Sequence, residues 1–598
     1  MTMKNDKIYV HVGVTGHRCV QAAVEQKLRA VLRDVLQEIG AAAAEVYESR
    51  RRFFESIDGG SGVKFRIISS LAEGVDRMVA REAMAEGYEL QVPMPFNQRK
   101  YESSFDQGPA SVLEFRDLLG QASAVLCTDF EGQESSSAYE DASRIMLCHS
   151  DLLIAVWDGK PNKYIAGTYS TIREAIRQDI PIIYISADNP DTIAYVQDSH
   201  ERIDWQLAVR EQIIRLLLPT NDIQNEPIHL TGLPFPLHEK SVHPDKHHNV
   251  NDLLESCLLK GASIETMQEA ALPAQLAVDT EKVNQHKALG MRLWGDMKVG
   301  YSGLSSIYSG AFRNSVLLRS LLPIIALLLL IGAMNTNGLI EIILYFLQIF
   351  MLVFVIWLVK REKSAHTNRC FYGYRSMAER IRISMFLSVI GYCNVNHSSS
   401  SYMEGKARSE GAWFYRILQR SRGIPDITLG TEETRAWLYW LRKDFIYSQL
   451  KYHHKRKERS MILQRRLGRL ALFAFYAGLL ATVVRACADS LDANIILGYA
   501  GALALFLPTL ATFFTSYSGT FGHSLHYAAS SAMCARLWAL MMDVDALLAE
   551  YEGNQKTFIL RKTGIGDLYR LCNQLEDCCL EELSDWEDSV QSRMLKLV

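Results

Sequence analysis

Residues 8–18 read IYVHVGVTGHR, an apolar run rich in β-branched side chains that ends in a glycine-containing turn. Such a run predicts a buried strand, and the helical periodicity over residues 20–44 predicts a helix after it. The alternation continues to about residue 187, and further strands are expected at 65–69, 89–93, 124–127, 152–156 and 182–185. Alternating patterns of this kind are typical of a Rossmann-like α/β domain, in which helices cover both faces of a parallel sheet.

The composition excludes several classes of protein. The chain has 598 residues, several times the usual domain length, so more than one folding unit is expected. Its 37 Gly and 15 Pro are too few for a collagen-like or low-complexity chain, and 48% hydrophobic residues exclude global disorder. The 11 Cys are scattered without a CxxC pair, so zinc-finger spacing is excluded and no metal is expected.

Charge is distributed unevenly along the chain. Residues 1–280 carry 27 Lys and Arg against 41 Asp and Glu, whereas residues 281–598 carry 37 against 26. Proteins bind nucleic-acid polymers largely by neutralising their phosphates, so the acidic first half argues against such a partner. The basic second half requires an anionic surface, and its apolar stretches identify a lipid bilayer as that surface.

Four apolar stretches, at 320–340, 342–359, 470–484 and 493–514, are candidates for membrane-spanning helices. A helix needs roughly 20 largely apolar residues to cross the hydrocarbon, and only the third stretch is short. The stretches pair into two hairpins whose links carry no Lys or Arg, whereas the opposite flanks are strongly basic. Because basic flanks stay in the cytoplasm, both termini are expected there. A buried core helix is the alternative for each stretch.

These patterns predict the division of the chain. We expect an α/β nucleotide-binding domain over 1–217, a linker over 218–280, and a first membrane hairpin module over 281–400. A loop over 401–435 is expected to lead to a second hairpin module over 436–598, which ends in cytosolic helices.

Two further features of the membrane half leave alternatives open. Aromatic-rich helices at 286–309 and 437–457 either continue the membrane helices into the cytosol or pack on the soluble domain. Within the spans, Pro323, Gln348 and Pro508 either kink and join the helices or line a pore.

The carboxyl ends of the predicted strands offer a candidate ligand site. In open α/β sheets, ligands lie beyond these ends, beside helix N-termini that attract anions. Arg18 and Arg77 can bond a phosphate, and Glu73 or Asp76 can accept from a ribose hydroxyl or a base. A glycine turn is often only a tight turn, however, and Asp76 with Arg77 can form a structural ion pair. The predicted ligand-binding residues are Gly13, Thr15, Gly16, His17, Arg18, Ser69, Ser70, Glu73, Gly74, Asp76, Arg77, Pro95, Phe96, Asp158, Gly159, Gly167 and Thr168.

Motifs at these junctions resemble the SLOG superfamily, a Rossmann-like nucleotide-ligand domain related to LOG and DprA proteins. They are GVTGHR at 13–18, SSLAEGVDR at 69–77, MPF at 94–96 with Tyr101 after it, WDGK at 157–160 and GT at 167–168. The membrane half is similar to SLATT-type modules, most visibly at 374–380 and 449–457. The resemblance implies a cytosolic sensor of a nucleotide-derived ligand. It also implies a homo-oligomeric, pore-forming module that acts in bacterial antiphage defence at the inner membrane.

One departure from the family pattern bears on catalysis. LOG-type phosphoribohydrolases carry PGGxGTxxE, whose Glu supports glycosidic cleavage, but the matching position here is Thr171. Glu174 lies one helical turn later, whereas general acid–base catalysis needs a carboxyl within hydrogen-bond reach of the leaving group. Ligand binding without catalysis and without a cofactor is therefore expected. The alternatives are a membrane-anchored nucleotide N-glycoside hydrolase, and a channel or scaffold whose first domain only mediates assembly.

Overall fold

The computed structural model describes an α/β sheet domain and a helical region. The described residues are 7–106, 108–130, 135–161, 167–197, 200–202, 204–219, 250–262, 278–364, 367–393, 410–490, 494–552 and 564–595.

One sheet organises the first part of the chain. Its strands are β1 (Tyr9–Gly16), β2 (Lys64–Ile68), β3 (Glu89–Met94), β4 (Ala124–Asp129), β5 (Leu152–Trp157), β6 (Ile182–Ser186), β7 (Ile193–Gln197), β8 (His200–Arg202) and β9 (Ile427–Gly430). They lie in the order β8-β7-β6-β5-β1-β2-β3-β4-β9, and only the pairs β6–β7 and β7–β8 are antiparallel. The predicted α/β architecture with a largely parallel sheet is confirmed. Strands form at all six predicted positions.

Helices alternate with the strands and then fill the second part of the chain. The helices of the first part are α1 (Ala22–Ser49), α2 (Arg51–Asp58), α3 (Val75–Ala85), α4 (Gln98–Glu102), α5 (Pro109–Gln121), α6 (Ser135–His149), α7 (Thr168–Arg177) and α8 (Trp205–Leu217). Those that follow are α9 (Val250–Leu259), α10 (Thr280–Met334), α11 (Leu339–Ser364), α12 (Thr367–Leu387), α13 (Glu410–Arg422), α14 (Thr431–Trp440), α15 (Ser448–Ser490), α16 (Asn494–Thr520), α17 (His523–Glu552) and α18 (Ile565–Leu595).

The centre of the sheet is formed by β1 and β5, which lie side by side. Both strands are buried along nearly their whole length, as expected for parallel strands covered on two faces. From β1 the chain proceeds through β2, β3 and β4 on one side, and then returns to β5 and β6 on the other. The strand order therefore reverses between β1 and β5, and this reversal sets the position of the candidate site.

The last strand of the sheet comes from a distant part of the chain. β9 pairs in parallel with β4, so that Ile427 lies opposite Leu126. The segment 401–435, which the sequence predicted as a loop, in fact holds α13, β9 and the start of α14. The physical reason is that an uncovered β4 would present a row of unpaired backbone groups, and β9 satisfies them.

A buried ion pair joins the sheet to the helical region. Arg420 near the end of α13 donates from Nε to the Asp151 carboxylate at 2.7 Å, and the two side chains are 3% and 0% exposed. The other oxygen of this carboxylate accepts the backbone N–H of His11 at 3.0 Å. Arg66 donates from Nη1 to the carbonyl oxygen of Arg420 at 2.6 Å. The helical region therefore docks on the amino-terminal edge of the sheet, where these three sheet residues lie.

Four helices of the second part are long and apolar enough to cross a membrane, at 280–334, 339–358, 431–487 and 498–549. The prediction of four membrane-length helices is confirmed by length and composition, and α10 packs on α11 as α15 packs on α16. A buried core helix is excluded for α11, because none of its apolar window is buried. Surfaces of this kind suit contact with lipid tails.

The membrane-length helices also continue into the core that surrounds the sheet. Trp294 of α10 and Trp437 of α14 are buried in the same apolar cluster as β1 and β5. Between α14 and α15 the helix runs through a π-helical stretch, Leu441–Tyr447. There Arg442 donates to both carboxylate oxygens of Asp545, at 2.5 and 3.1 Å. The aromatic-rich helices are therefore continuous with the membrane-length helices, and they also pack on the α/β domain.

The second hairpin has a close crossing point. A Cβ added at Gly478 of α15 would lie 2.8 Å from Cδ of Pro508 in α16, and 2.9 Å from its Cγ. Small residues at such crossings let membrane helices approach closely. The structure thus places Pro508 at a helix–helix contact.

Pro323 and Gln348, the other two residues predicted either to join the helices or to line a pore, lie in the first hairpin. Gln348 is half-buried on α11, one turn after Leu344. A Cβ at Gly332 of α10 would lie 3.4 Å from Leu344, so this stripe of α11 faces α10. Pro323 is exposed on α10.

Substitution at the crossing point is expected to destabilise the second hairpin. Gly478→Ala places a methyl group against the Pro508 ring and should cost about 1–3 kcal/mol, since overpacking displaces rigid neighbours. Gly468→Ala is the matched control, because the same methyl group on the same helix meets open space there. Thermal unfolding of the detergent-solubilised chain should show a lower midpoint for Gly478→Ala only. Equal midpoints would contradict the close crossing.

Removal of the buried cation is expected to loosen the docking of the helical region. Arg420→Met leaves the Asp151 carboxylate buried without its partner and should cost about 3–5 kcal/mol. Arg116→Met, which breaks the more exposed pair with Glu102, should cost about 0–1 kcal/mol. Unfolding of the full chain in urea measures both. The double variant Arg420→Met/Asp151→Asn removes both charges and keeps an oxygen for the N–H of His11, so it should recover most of the loss. Its failure to do so would contradict this account.

Candidate functional site

The candidate site lies at the carboxyl ends of β1 and β5, where the strand order reverses. His17 after β1 and Asp158 after β5 meet there, since His17 Nε2 accepts the N–H of Asp158 at 3.1 Å. The Asp158 carboxylate in turn accepts the N–H of Lys160 at 3.0 Å, and this bond lowers the pKa of Asp158. The two loops that the sequence predicted to converge are therefore in contact.

The space beside the loops after β1 and β5 is called the crevice from here on. Arg18 places a positive charge there. Its side chain is exposed, and its guanidinium lies over the ring of Tyr139 in α6, 5.4 Å from the ring centre. A guanidinium fixed by an aromatic ring keeps its N–H groups available to an oxyanion. Of the two arginines predicted to bond a phosphate, Arg18 is therefore the one positioned to do so.

A stacked pair of aromatic side chains, Trp157 and Tyr169, borders the same crevice and is called the shelf. Trp157 at the end of β5 stacks on Tyr169 at the start of α7, with ring centres 5.7 Å apart and planes at 28°. A Cβ at Gly159 beside it would lie 4.0 Å from Oη of Tyr184, an ordinary van der Waals contact, and the φ angle of +78° there favours glycine. Gly167 precedes α7, and Thr168 is its first residue and is buried. The shelf and the start of α7 together offer a stacking surface next to backbone N–H groups.

Three of the predicted glycines serve the packing of the protein itself. A Cβ at Gly13 would lie 2.3 Å from Oγ of Ser150, and one at Gly16 would lie 2.4 Å from the side chain of Val75. At Gly74 the φ angle is +87°, and a Cβ would lie 2.2 Å from the carbonyl oxygen of Arg18. At Gly13, Gly16 and Gly74, protein atoms therefore occupy the space that a side chain would need, and the prediction that these glycines bind a ligand stays a prediction.

Arg77 and Glu73 are held inside the domain. Arg77 is 1% exposed, and it donates to the carbonyl oxygens of Leu71 and Ser111 at 3.0 and 2.9 Å. Glu73 accepts from Oγ of Ser111 at 2.5 Å and from the N–H of Asp106 at 2.9 Å. The predicted roles of these two residues at a ligand differ from this placement, since both side chains point between α3 and the start of α5.

Asp76 joins the turn after β1 to the turn after β2. Its carboxyl is buried and accepts the backbone N–H groups of Ala72 and Gly16. Burial raises its pKa to about 7, although these bonds and the nearby Arg18 oppose the rise. Ser69 is also buried, and its Oγ donates to the carbonyl oxygen of Asp76 at 3.0 Å. The positive charge of Arg77 also lowers the pKa of Asp76, but its effect is smaller than that of burial.

The remaining predicted residues form the wall beside Arg18. Phe96 is buried below Lys100, whose Nζ lies 4.1 Å from the ring centre, and it meets Tyr139 edge-to-face at 5.4 Å. Pro95 is buried next to it, and Ser70 accepts at its carbonyl oxygen the hydroxyl of the buried Tyr101. Thr15 is buried at the end of β1.

Thr171 stands at the position where the LOG-type motif has its catalytic Glu. Thr171 is buried, and its hydroxyl donates to the carbonyl oxygen of Gly167 at 3.1 Å. Glu174 accepts from Arg177 and from Gln178, both at 2.6 Å. Its carboxylate is therefore engaged at the middle of α7, away from the start of that helix.

Three aromatic residues at the crevice were not among the predicted site residues. Trp157 and Tyr169 form the shelf, and Tyr139 supports Arg18. The signal for Trp157 was its place beside Asp158 in the quoted motif. Tyr139 gives no comparable signal, because it belongs to a helix that follows a strand three positions away in the sheet.

A second polar region lies at the seam between the sheet and the helices. A cavity of about 10 Å³ there, room for about one water molecule, is lined by His149, Gln419, Tyr392 and Glu576 among others. Within the described stretches, Nδ1 of His149 and Oε1 of Gln419 are buried without a protein partner. Burial lowers the pKa of His149 to about 4. A water molecule that donates to both atoms would satisfy them.

Over the residues that the structure describes, no group of three or more His, Cys, Asp and Glu is arranged to hold a metal ion. Comparisons with family models, with curated proteins and with solved structures give no significant match to this chain.

The buried carboxyl of Asp76 is expected to make stability depend on pH. With its pKa raised to about 7, the folded protein keeps a proton that the unfolded chain releases near pH 4. The contribution of this proton to the free energy of unfolding is complete below about pH 4 and is lost as the pH rises through about 7. The free energy of unfolding should fall by about 2–4 kcal/mol over that range. Asp76→Asn should remove this decline.

Thermal midpoints of the full chain between pH 4.5 and 8 provide the measurement. Asp117→Asn, at an exposed carboxyl on α5, is the control for the loss of one charge. Curves of wild type and Asp76→Asn that run parallel across the range would show that the carboxyl does not titrate there.

Proposed function

We propose that this chain is a membrane-embedded effector whose cytosolic α/β domain binds a nucleotide-derived ligand and thereby changes the arrangement of the membrane helices. The observation that carries the proposal is that one continuous apolar core connects the crevice to the membrane-length helices. Tyr139, which supports the exposed Arg18, packs against the same apolar core that buries Trp294 and Trp437 of the membrane-length helices. Ligand binding on one side of such a core is felt on the other, because packed cores transmit strain.

The chemistry of the crevice favours a phosphorylated ligand with an aromatic ring. Arg18 and the N–H groups at the start of α7 suit a phosphate, since both present donors and positive charge. The shelf of Trp157 and Tyr169 suits a base, which stacks on aromatic side chains. The SLOG-like motifs lie near this crevice. Their resemblance to the SLOG superfamily supports the hypothesis that the α/β domain is Rossmann-like and senses such a ligand.

Helix α6 provides a direct path from the crevice to the helical region. Its Tyr139 supports Arg18, and its Asp141 accepts the N–H of Ile565 at the start of α18 at 3.1 Å. At its other end, Nε2 of His149 donates to the carbonyl oxygen of Gly391 at 2.8 Å. A ligand that moves Arg18 therefore acts on a helix that contacts both α18 and the segment after α12.

Membrane insertion, orientation and assembly complete the proposal. The four membrane-length helices support a multi-pass protein, and the basic flanks support cytoplasmic termini at the bacterial inner membrane. Two hairpins are too few for a wide aqueous path, so we propose a homo-oligomeric pore. A role in antiphage defence is proposed from the resemblance to SLOG and SLATT proteins.

We favour binding over catalysis for the same crevice. Glu73 is engaged by Ser111 and the backbone of Asp106, and Glu174 by Arg177 and Gln178. A general acid or base must reach the leaving group, and neither carboxylate faces the crevice.

The proposal predicts ligand-dependent leakage from liposomes that contain the full chain. A panel of mononucleotides, with inorganic phosphate as reference, should include ligands that change ion leakage. Arg18→Ala should weaken the response about tenfold to a hundredfold in ligand concentration, since a charge-assisted hydrogen bond contributes about 1.5–3 kcal/mol. Arg51→Ala, at an exposed arginine of α2, should leave the response unchanged.

Two results would contradict the proposal. One is leakage that no small molecule changes, including those found by mass spectrometry to be retained by the purified chain. The other is an equal response of the Arg18→Ala and Arg51→Ala proteins, which would place the ligand elsewhere.

A further inference from the structure

A short helix lies across the cytosolic ends of the membrane helices. α9, within the segment predicted as a linker, packs Leu254 and Leu258 against a small apolar cluster distinct from the main core. Three helices contribute to this cluster. Its members besides the two leucines are Leu317 and Leu321 of α10, Leu467 of α15, Phe513, Phe514 and Tyr517 of α16, and Phe521.

The cluster stands at the boundary between the basic flanks and the apolar spans. Leu317 lies just before the first apolar stretch, Leu467 just before the third, and Tyr517 just after the fourth. All three side chains are buried, at 2%, 1% and 0% exposure. The three helices therefore converge where their apolar spans meet the basic flanks, and the two leucines of α9 pack against that point.

Two arginines of α15 fix α9 in this position. Arg459 donates to Glu255 at 2.5 Å, and the Glu255 side chain is only 11% exposed. Arg466 donates from Nη1 to the carbonyl oxygens of Leu258 and Lys260, at 2.7 and 2.9 Å. The last carbonyls of a helix have no partner within the helix, so Arg466 caps α9 from the neighbouring helix.

The docking of α9 is expected to be reversible. A helix of 10 residues is marginal in water by itself, so its helical state depends on the contacts with its neighbours. Among the described residues, these contacts include two half-buried leucines, an ion pair and a capping arginine. In sequence, α9 lies between the α/β domain and α10, so it is well placed to respond to both.

We propose that α9 is a latch that holds the cytosolic ends of α10, α15 and α16 together and keeps the membrane module closed. Release of α9 lets the three ends separate. The consequence for permeation rests on the function proposed above, whereas the clamping itself does not. The latch is an autoinhibitory contact made by a segment of the same chain.

The test compares hydrogen exchange of the full chain in lipid nanodiscs. In the variant Leu254→Ser/Leu258→Ser, amides at 313–321, 460–470 and 513–521 should exchange at least about tenfold faster than in wild type, because the ends open locally. Ser256→Ala changes an exposed residue of the same helix and should leave exchange unchanged. Glu255→Lys should act as the leucine variant does, and the added change Arg459→Glu should restore protection by re-forming the pair with opposite sign.

Unchanged exchange at the three helix ends in both α9 variants would overturn the latch. So would faster exchange throughout the chain without rescue by Arg459→Glu, since that result indicates general unfolding. Liposome leakage separates the two proposals. Faster exchange with ligand-independent leakage supports both, whereas faster exchange in an impermeable protein supports the latch and refutes the pore.

Discussion

The ion pair between Arg420 and Asp151 is the constraint on which the arrangement of the whole chain depends. Both side chains are buried, so each charge has the other as its main compensation. Burial raises the pKa of Asp151, and the guanidinium of Arg420 opposes that rise. Because the same carboxylate also accepts the N–H of His11, the pair fixes α13 to the central strand of the sheet. The α/β domain is therefore completed by residues from the second half of the chain, and β9 adds its last strand.

This docking places the ion pair and the candidate site at opposite ends of the sheet strands. The crevice with Arg18 lies at the carboxyl ends of the strands, whereas the ion pair lies at the amino edge, toward the helical region. Coupling between the two regions requires an element with ends at both, and α6 satisfies that condition through Tyr139 and His149.

The sequence predicted those features whose cause is local. Runs of β-branched residues identified the six strands from β1 to β6, and long apolar stretches identified the four membrane-length helices. The roles of Gly13 and Gly16 were not predictable, since their need for a missing side chain comes from Ser150 and Val75, which are distant in sequence. The burial of Arg77 was not predictable for the same reason: only the fold places Ser111 beside its guanidinium.

β9 and α9 escaped prediction because each is stabilised by partners far along the chain. Four residues, Ile427–Gly430, carry too little pattern to indicate a strand, and the partner strand β4 lies about 300 positions earlier. α9 depends on arginines of α15, about 200 positions later. Interactions over such separations are set by the completed fold.

The π-helical stretch at 441–447 has a further consequence for how the two halves are aligned. Each residue of an α-helix turns the chain by about 100°, so a single wide turn alters the azimuth of everything beyond it. The rotational orientation of the membrane-length helix α15 relative to α14 is therefore set by those seven residues, among which Arg442 is held by its bonds to Asp545. A switch between wide and ordinary turns there would swivel the second hairpin about its own axis without bending it.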